Sequence, residues 1–295
     1  MMLTVPNRVE TSVFTLVLSI MIIFAVCCDG KVVSETDPYK MMVKRMFYDA
    51  YDAYMAYAYP SDELKPLTCR GTGPRATEHG VYNLYMGNWS RTLVDALDTL
   101  YVIGDWKEFE HALFLVAKTV PDAMDAALTS SKFKRTISLF ETTIRVIGGL
   151  LSSHMIAVRN SERFSKDRPY QNQLLDAAET VAQRISPAFM TKTGIPCPTI
   201  KNDGTWDCIY STTTVADAGT LILEWRTLSR LTGNPIYSQY VDRVLAALKT
   251  IRSPLGLLFE RVSWSDLKDV SFAALLFHSK CRFIMIVFSF VCTEG

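Results

Sequence analysis

A glutamate and an arginine lie one helical turn apart on a stripe that could carry chemistry. On a helix, Glu141, Arg145, Gly148 and Ser152 follow spacings of four, three and four, so they share this stripe. The neighbouring stripes are apolar, which indicates a buried helix. The ionisable pair on such a helix must be satisfied internally or face a cavity.

A simpler interpretation of the same residues remains open. Glu141 and Arg145 would form only an i,i+4 ion pair, and the adjacent glycines would admit a neighbouring helix. Gly148 and Gly149 each cost about 1 kcal/mol relative to alanine inside a helix, so their presence indicates that something approaches closely there. On another helix, Asp95 and Asp98 either line an interior or cap and brace neighbouring loops, and we favour bracing.

The elements that must position these residues are helices. Apolar spacing and capping patterns predict a first helix from Pro38 that stops before Pro60, and a second that is ended by Gly104. Asp105 and Glu108 predict a capped third helix that runs to Pro121. Alternating strand patterns are scarce, and Thr232-Gly233-Asn234 is a short connection, so the prediction is an all-α chain of antiparallel hairpins. Further helices are predicted at 138–158, 170–185, 214–231 and 235–252.

Composition limits the classes of function. The chain has 295 residues, 49% of them apolar, which is enough for a substantial core. Its 31 basic and 30 acidic residues give a net charge of +1, which argues against a nucleic-acid partner. A neutral substrate such as a sugar fits this balance.

The N-terminus resembles a secretory leader. Val13 to Cys28 carries no charge, so residues 1–30 are predicted to be a cleaved signal peptide or a retained membrane anchor, and 31–38 a linker. Secretory entry would make Asn88-Trp89-Ser90 usable for N-glycosylation and would place the cysteines in an oxidising compartment. Two of the seven cysteines lie in the leader, and the odd number of five that remains leaves at least one thiol without an internal partner.

Seven motifs occur in order along the chain: FYDAY (47–51), DELKPLTC (62–69), NWS (88–90), TLVDALDTL (92–100), FETTIRVIGGLLSSH (140–154), TGIP (193–196) and GTLILEWRTLSRL (219–231). Together they resemble glycoside hydrolase family 47, the class I α-1,2-mannosidases, in its branch of endoplasmic-reticulum degradation-enhancing (EDEM-like) proteins. The resemblance covers roughly residues 39–258 and is interrupted by an apparent insertion at Leu128 to Thr136. We therefore predict a partial family domain at 39–260 and a tail foreign to the family at 261–295.

The resemblance implies roles for individual residues. Glu141 would be the proton donor, Arg145 would contact the bound sugar and Glu224 would help to bind the glycan. Glu224 also has a structural alternative, as a helix carboxylate paired with Arg226 or Arg230.

The resemblance also implies an architecture and a partner set. The fold would be about the first half of an (α/α) barrel, and hydrolysis would proceed by inversion. The remaining catalytic carboxylates and the calcium-binding threonine would lie in the second half, beyond this chain, so the chain alone is expected not to release mannose.

The resemblance also implies substrates, a location and a partner. The substrates would be high-mannose N-glycans, and the protein would lie in the endoplasmic reticulum, either in the lumen or on a membrane anchor. An oxidoreductase of the disulfide isomerase type would be a further partner. The disulfide partner implied for Cys69 would also lie beyond this chain.

Two rival functions stay open. The first is a non-catalytic, lectin-like component that presents glycoproteins for degradation. The second is a membrane-anchored helical fragment with no role in glycan binding.

Overall fold

The computed structural model describes residues 37–72, 87–129, 136–205, 208–252 and 258–267. The predicted leader, most of the apparent insertion and most of the predicted tail lie outside these ranges. The chain divides into two compact units, residues 1–50 and 51–295. Within the described residues, no helix is both long and apolar enough to cross a membrane.

The described part of the first unit is helical. Helix α1 (Pro38–Tyr57) contributes residues to both units. Its start follows the predicted pattern, because Pro38 occupies the first helical position and Asp37 Oδ1 accepts a hydrogen bond from the Tyr39 amide at 2.9 Å.

The second unit is mainly helical, which confirms the predicted class. After α1, its helices are α2 (Arg91–Val102), α3 (Trp106–Thr129), α4 (Leu139–Glu141), a π-helix (Thr142–Ile147), α5 (Gly148–Arg159), α6 (Gln173–Ile185), α7 (Val215–Gly219), α8 (Ile222–Thr232) and α9 (Ile236–Thr250), with 3₁₀ turns at Ser161–Arg163 and Ser186–Phe189. Within this unit α2 packs against α3 and α8 against α9, so consecutive helices pair as predicted.

Two predicted helix boundaries are wrong. Helix α3 continues through Pro121 to Thr129, because the residues beyond the proline, including Met124 and Ala127, are fully buried. Their burial offsets the cost of about 3 kcal/mol that proline carries inside a helix. The single helix predicted at 214–231 is two helices, α7 and α8, which are separated at Thr220-Leu221.

In the described part of the second unit, short strands occur at three places in addition to the predicted helices. The antiparallel pairs are β1 (Glu63–Lys65) with β2 (Arg70–Thr72), β3 (Thr136–Ser138) with β4 (Thr199–Lys201), and β5 (Thr212–Thr214) with β6 (Arg261–Ser263). Strand β3 leads directly into α4, and β5 leads directly into α7. The two strands therefore fix where these helices begin. Strand β6 lies beyond residue 260, and the domain boundary drawn there stays a prediction.

Asp62 holds the start of α2 in place. Its side chain is 2% exposed, and Oδ1 accepts hydrogen bonds from the amides of Trp89 (2.7 Å) and Arg91 (3.1 Å), while Oδ2 accepts one from Asn88 (2.6 Å). The Asp62 carbonyl accepts two more, from the amide and hydroxyl of Thr92. Burial raises the pKa of Asp62, whereas the three amide donors and Arg91 favour its charged form.

An aromatic cluster at the core of the second unit reaches the π-helix. Phe189 and Trp225 pack edge to face at 4.6 Å between ring centroids, and Tyr240 stacks on Phe189. The Trp225 indole donates a hydrogen bond to the Thr143 hydroxyl at 3.2 Å, and both residues are fully buried. This bond ties α8 to the π-helix.

Among the described cysteines one thiol is free, in agreement with the odd count. Cys197 and Cys208 form a disulfide around the segment that contains β4, whereas Cys69 is exposed with a free thiol. Cys281 and Cys292 lie outside the described residues. We therefore expect alkylation of the denatured, non-reduced chain to label Cys69 but neither Cys197 nor Cys208, as read by peptide mass spectrometry. Recovery of Cys69 in one uniform intramolecular disulfide would contradict this expectation.

Candidate active site

Glu141 is fixed at the beginning of its helix. The Ser138 hydroxyl, at the end of β3, accepts a hydrogen bond from the Glu141 amide at 3.2 Å. Because β3 pairs with β4, this cap is itself held by a second segment of the chain. The carboxyl therefore leaves the backbone at a defined position in the first helical turn.

Arg145 joins two carboxylates. Its Nε donates to Glu141 Oε2 at 2.7 Å, and its Nη1 lies 3.4 Å from Asp95 Oδ2 on α2. The Glu141 side chain is only 14% exposed, compared with 43% for Arg145 and 35% for Asp95. The i,i+4 pair that sequence reasoning allowed is present, but it extends to a third residue on another helix and reaches solvent on the arginine side.

The charges of this cluster follow from burial and pairing. Burial raises the pKa of Asp95, although Arg145 and Arg91 act in the opposite direction. The hydrogen bond to Glu141 raises the pKa of Arg145, which keeps the guanidinium charged. The arrangement can hold a carboxyl against a permanent positive charge and still offer guanidinium N–H groups to a polar ligand.

Asp98 braces the same pair of helices. The Ser152 hydroxyl on α5 lies 3.2 Å from Asp98 Oδ2 and 3.1 Å from the Gly149 carbonyl. Asp95 and Asp98 thus each connect α2 to the helical segment that carries Glu141. The predicted bracing concerned neighbouring loops, whereas these contacts join two helices.

Gly149 is the point of closest approach to α2. A methyl group placed on Gly149 would lie 3.0 Å from Val94 Cγ1 and 3.2 Å from the Val94 carbonyl oxygen. At Gly148 the nearest atom, Glu224 Cγ, would be 3.6 Å away, which is ordinary contact. The close approach that the paired glycines predicted is therefore located at Gly149.

We expect Gly149→Ala to lower the free energy of unfolding by about 1–2 kcal/mol, because α2 must shift to admit the methyl group. Gly148→Ala is the matched control and should raise it by up to about 1 kcal/mol, since alanine is the better helix former. Urea denaturation of both variants measures the difference. Equal effects at the two positions would show that Gly149 is not under packing constraint.

Glu224 lies beside Gly148 and lacks a counter-charge in the described residues. Its Oε2 is buried without a hydrogen-bond partner there, and Arg226 pairs with Asp242 at 2.6 Å instead. The pairing of Glu224 with Arg226 that sequence reasoning left open is therefore not formed. Burial raises the pKa of Glu224 to about 7.

The raised pKa predicts that stability falls as the pH rises. Glu224 ionises near its ordinary pKa of 4.5 in the unfolded chain and near 7 in the folded chain, so the penalty is absent below 4.5 and complete above 7. Glu224→Gln should remove this penalty of roughly 3 kcal/mol. The stability gained by the variant, from urea denaturation, should therefore be larger at pH 8 than at pH 5. Exposed Glu162→Gln is the control, and a pH-independent difference for Glu224→Gln would refute the assignment.

A cavity of about 270 Å³ opens at the start of the helix that carries Glu141. Its lining is of mixed polarity and includes Ser138 and Phe140, as well as Thr213, Asp217 and Arg261, but none of the predicted site residues. Sequence reasoning missed this second group of residues. The available signal was the capping pattern of Thr214 and Asp217, in which the Asp217 amide donates to the Thr214 hydroxyl at 2.9 Å.

The structure brings some of the predicted site residues together. Glu141 and Arg145 are in direct contact. Glu224, on α8, lies beside Gly148 of the same helical segment. Asn88 lies apart from them in sequence, immediately before α2, where it bonds to Asp62. Within the described ranges, no three carboxylate, histidine or cysteine side chains gather into a metal-binding group.

Comparison with known proteins supplies the family. Residues 46–273 match the model of glycosyl hydrolase family 47. The chain is 38% identical to human ER degradation-enhancing alpha-mannosidase-like protein 2 over 76% of this chain and 36% of that protein, and 38% identical to Alpha-mannosidase I MNS4 of Arabidopsis thaliana over 73% and 31%.

A solved structure agrees. The alpha-1,2-mannosidase from Trichoderma reesei superposes with a TM-score of 0.64 at 29% identity, over 79% of this chain and 45% of that one. The chain spans about a third of the length of the curated relatives named above. It belongs to glycosyl hydrolase family 47, among the relatives named ER degradation-enhancing alpha-mannosidase-like proteins.

Proposed function

We propose that this chain is part of an α-1,2-mannosidase that trims high-mannose N-glycans on misfolded glycoproteins in the endoplasmic reticulum. The observation that carries the proposal is the capped, mostly buried Glu141 carboxyl, which is paired with the partly exposed Arg145. Family membership agrees with it, as do the relatives' names, which include alpha-mannosidases and proteins of ER degradation.

In the proposed reaction Glu141 protonates the glycosidic oxygen as the mannose leaves. Arg145 orients the Glu141 carboxyl through Nε and offers its remaining N–H groups to sugar hydroxyls, while Glu224 accepts a hydrogen bond from the glycan. Inversion also needs a base that activates water on the opposite side of the ring. We assign that base to the part of the family domain outside this chain.

The remaining proposals concern the complete protein. The hairpins α2–α3 and α8–α9 would form about the first half of an (α/α) barrel, a view supported by partial superposition on the Trichoderma enzyme. Calcium would bind outside the residues described here, which do not form a fitting site, so no step above depends on it. We also propose a location in the lumen or on a membrane anchor, and an oxidoreductase of the disulfide isomerase type as a partner.

The test is trimming of a high-mannose glycoprotein, resolved by mass. We expect no mannose release by the 295-residue chain. Release is expected from the same chain when it is extended with the remainder of a relative's family-47 domain. Binding of the glycoprotein by the extended protein without any trimming would favour the lectin-like alternative. Absence of both binding and trimming would reject a role in glycan processing.

A further inference from the structure

The sequon Asn88-Trp89-Ser90 is enclosed by the folded second unit. The Ser90 side chain is 0% exposed, and its hydroxyl donates a hydrogen bond to the Pro60 carbonyl at 2.8 Å. Trp89, between the two sequon positions, is 2% exposed. Both the hydroxyl of the motif and its central residue are therefore closed to another protein.

The backbone of the sequon is held as firmly as its side chains. The Asn88 and Trp89 amides both donate to the buried Asp62 carboxylate. Asn88 and Ser90 have φ values of 62° and 55°, so the segment forms a tight turn in the left-handed region instead of an extended strand. Asn88 itself is half-buried and is the least enclosed residue of the sequon.

Glycan transfer requires the features that this fold encloses. In the reaction, Asn88 Nδ2 forms a bond to the anomeric carbon of a lipid-linked oligosaccharide, and the bond from that carbon to the lipid diphosphate breaks. The diphosphate leaves, and a transferase base takes the amide proton. The motif needs a hydroxyl two residues after the asparagine, so the transferase must reach the side chain of Ser90.

We infer that Asn88 is a glycosylation site that accepts its glycan only before residues 60–62 pack against residues 88–91. Folding then closes the hydroxyl and backbone of the sequon, while the half-exposed Asn88 side chain carries the glycan outward. A chain that folds first is permanently excluded from modification at this position.

Timing of transferase addition tests the order of these two events. The full chain is synthesised in a cell-free system, and purified oligosaccharyltransferase with its lipid-linked donor is present from the start or is added after synthesis and folding. We expect the occupancy of Asn88, read by peptide mass spectrometry, to be at least tenfold lower with late addition. The control is Glu162→Thr, which creates a sequon at the half-buried Asn160. Its hydroxyl position 162 is exposed, and Asn160 Nδ2 donates only to the Ile156 carbonyl at the end of α5, so this sequon should be modified in both arms.

Three results would overturn the inference. One is equal occupancy of Asn88 in the two arms, and another is no occupancy in either arm while Asn160 is modified. The third comes from hydrogen exchange: if the Asn88 and Trp89 amides of the purified chain exchange at unfolded-chain rates, the segment is not closed. None of these readouts depends on mannosidase activity.

Discussion

Glu141→Gln should lower mannose release by about a hundredfold or more in the chain extended with the remainder of a family-47 domain. Glutamine keeps the size of the side chain and an acceptor for Arg145 Nε, which lies 2.7 Å from Oε2, but has no proton to transfer to the leaving oxygen. Glycan affinity should change little, because Arg145 and Glu224, the residues proposed to contact the glycan, are retained. The measurement is mass-resolved trimming at saturating substrate together with glycan binding.

The control for this experiment is Glu162→Gln, which changes an exposed carboxyl on the turn after α5 and should leave trimming unchanged. Full activity of Glu141→Gln would remove Glu141 from the role of general acid. Loss of binding in parallel with activity would instead indicate that Glu141 acts by holding Arg145 in position.

Asp62→Ala should lower the free energy of unfolding by about 3 kcal/mol or more, since it leaves three amide donors at the start of α2 without their acceptor. The Asp62 side chain is buried, so water cannot readily replace the lost carboxylate. Urea denaturation at neutral pH measures the change. The slope of the unfolding free energy against urea concentration should be compared between the proteins.

Two further variants test whether the stability lost in Asp62→Ala comes from its hydrogen bonds. Asp62→Asn keeps one acceptor oxygen and should lose about half as much stability, whereas Asp122→Ala alters an exposed aspartate on α3 and should be neutral. If Asp62→Ala were as stable as Asp122→Ala, the hydrogen bonds to the three amides would not be holding α2.

Sequence patterns predicted the helices well because helix starts are local. Pro38, Asp105 and Ser138 lie within three residues of the groups they precede or cap, so spacing alone identifies them. The spacing of Glu141 and Arg145 likewise predicted their contact.

What sequence patterns missed depends on distant residues. The Asp62 carboxylate accepts hydrogen bonds from amides 26 to 29 positions later in the chain. Arg145 contacts Asp95, which lies 50 positions earlier. The continuation of α3 through Pro121 depends on burial of Met124 and Ala127. No local pattern reports such contacts, since they exist only once the helices pack together.

The π-helix at Thr142–Ile147 accommodates an extra residue between Glu141 and the contacts with α2. Its hydrogen bonds run from i to i+5, so each turn holds more than the 3.6 residues of an α-turn and the extra residue adds little rotation. Glu141 lies before this widened turn, whereas Gly149 and Ser152, which contact α2, lie after it. In a regular α-helix an added residue would instead turn Glu141 by about 100° relative to these contacts. The widened turn therefore lets the chain lengthen at this point while the Glu141 carboxyl stays on the side of α2.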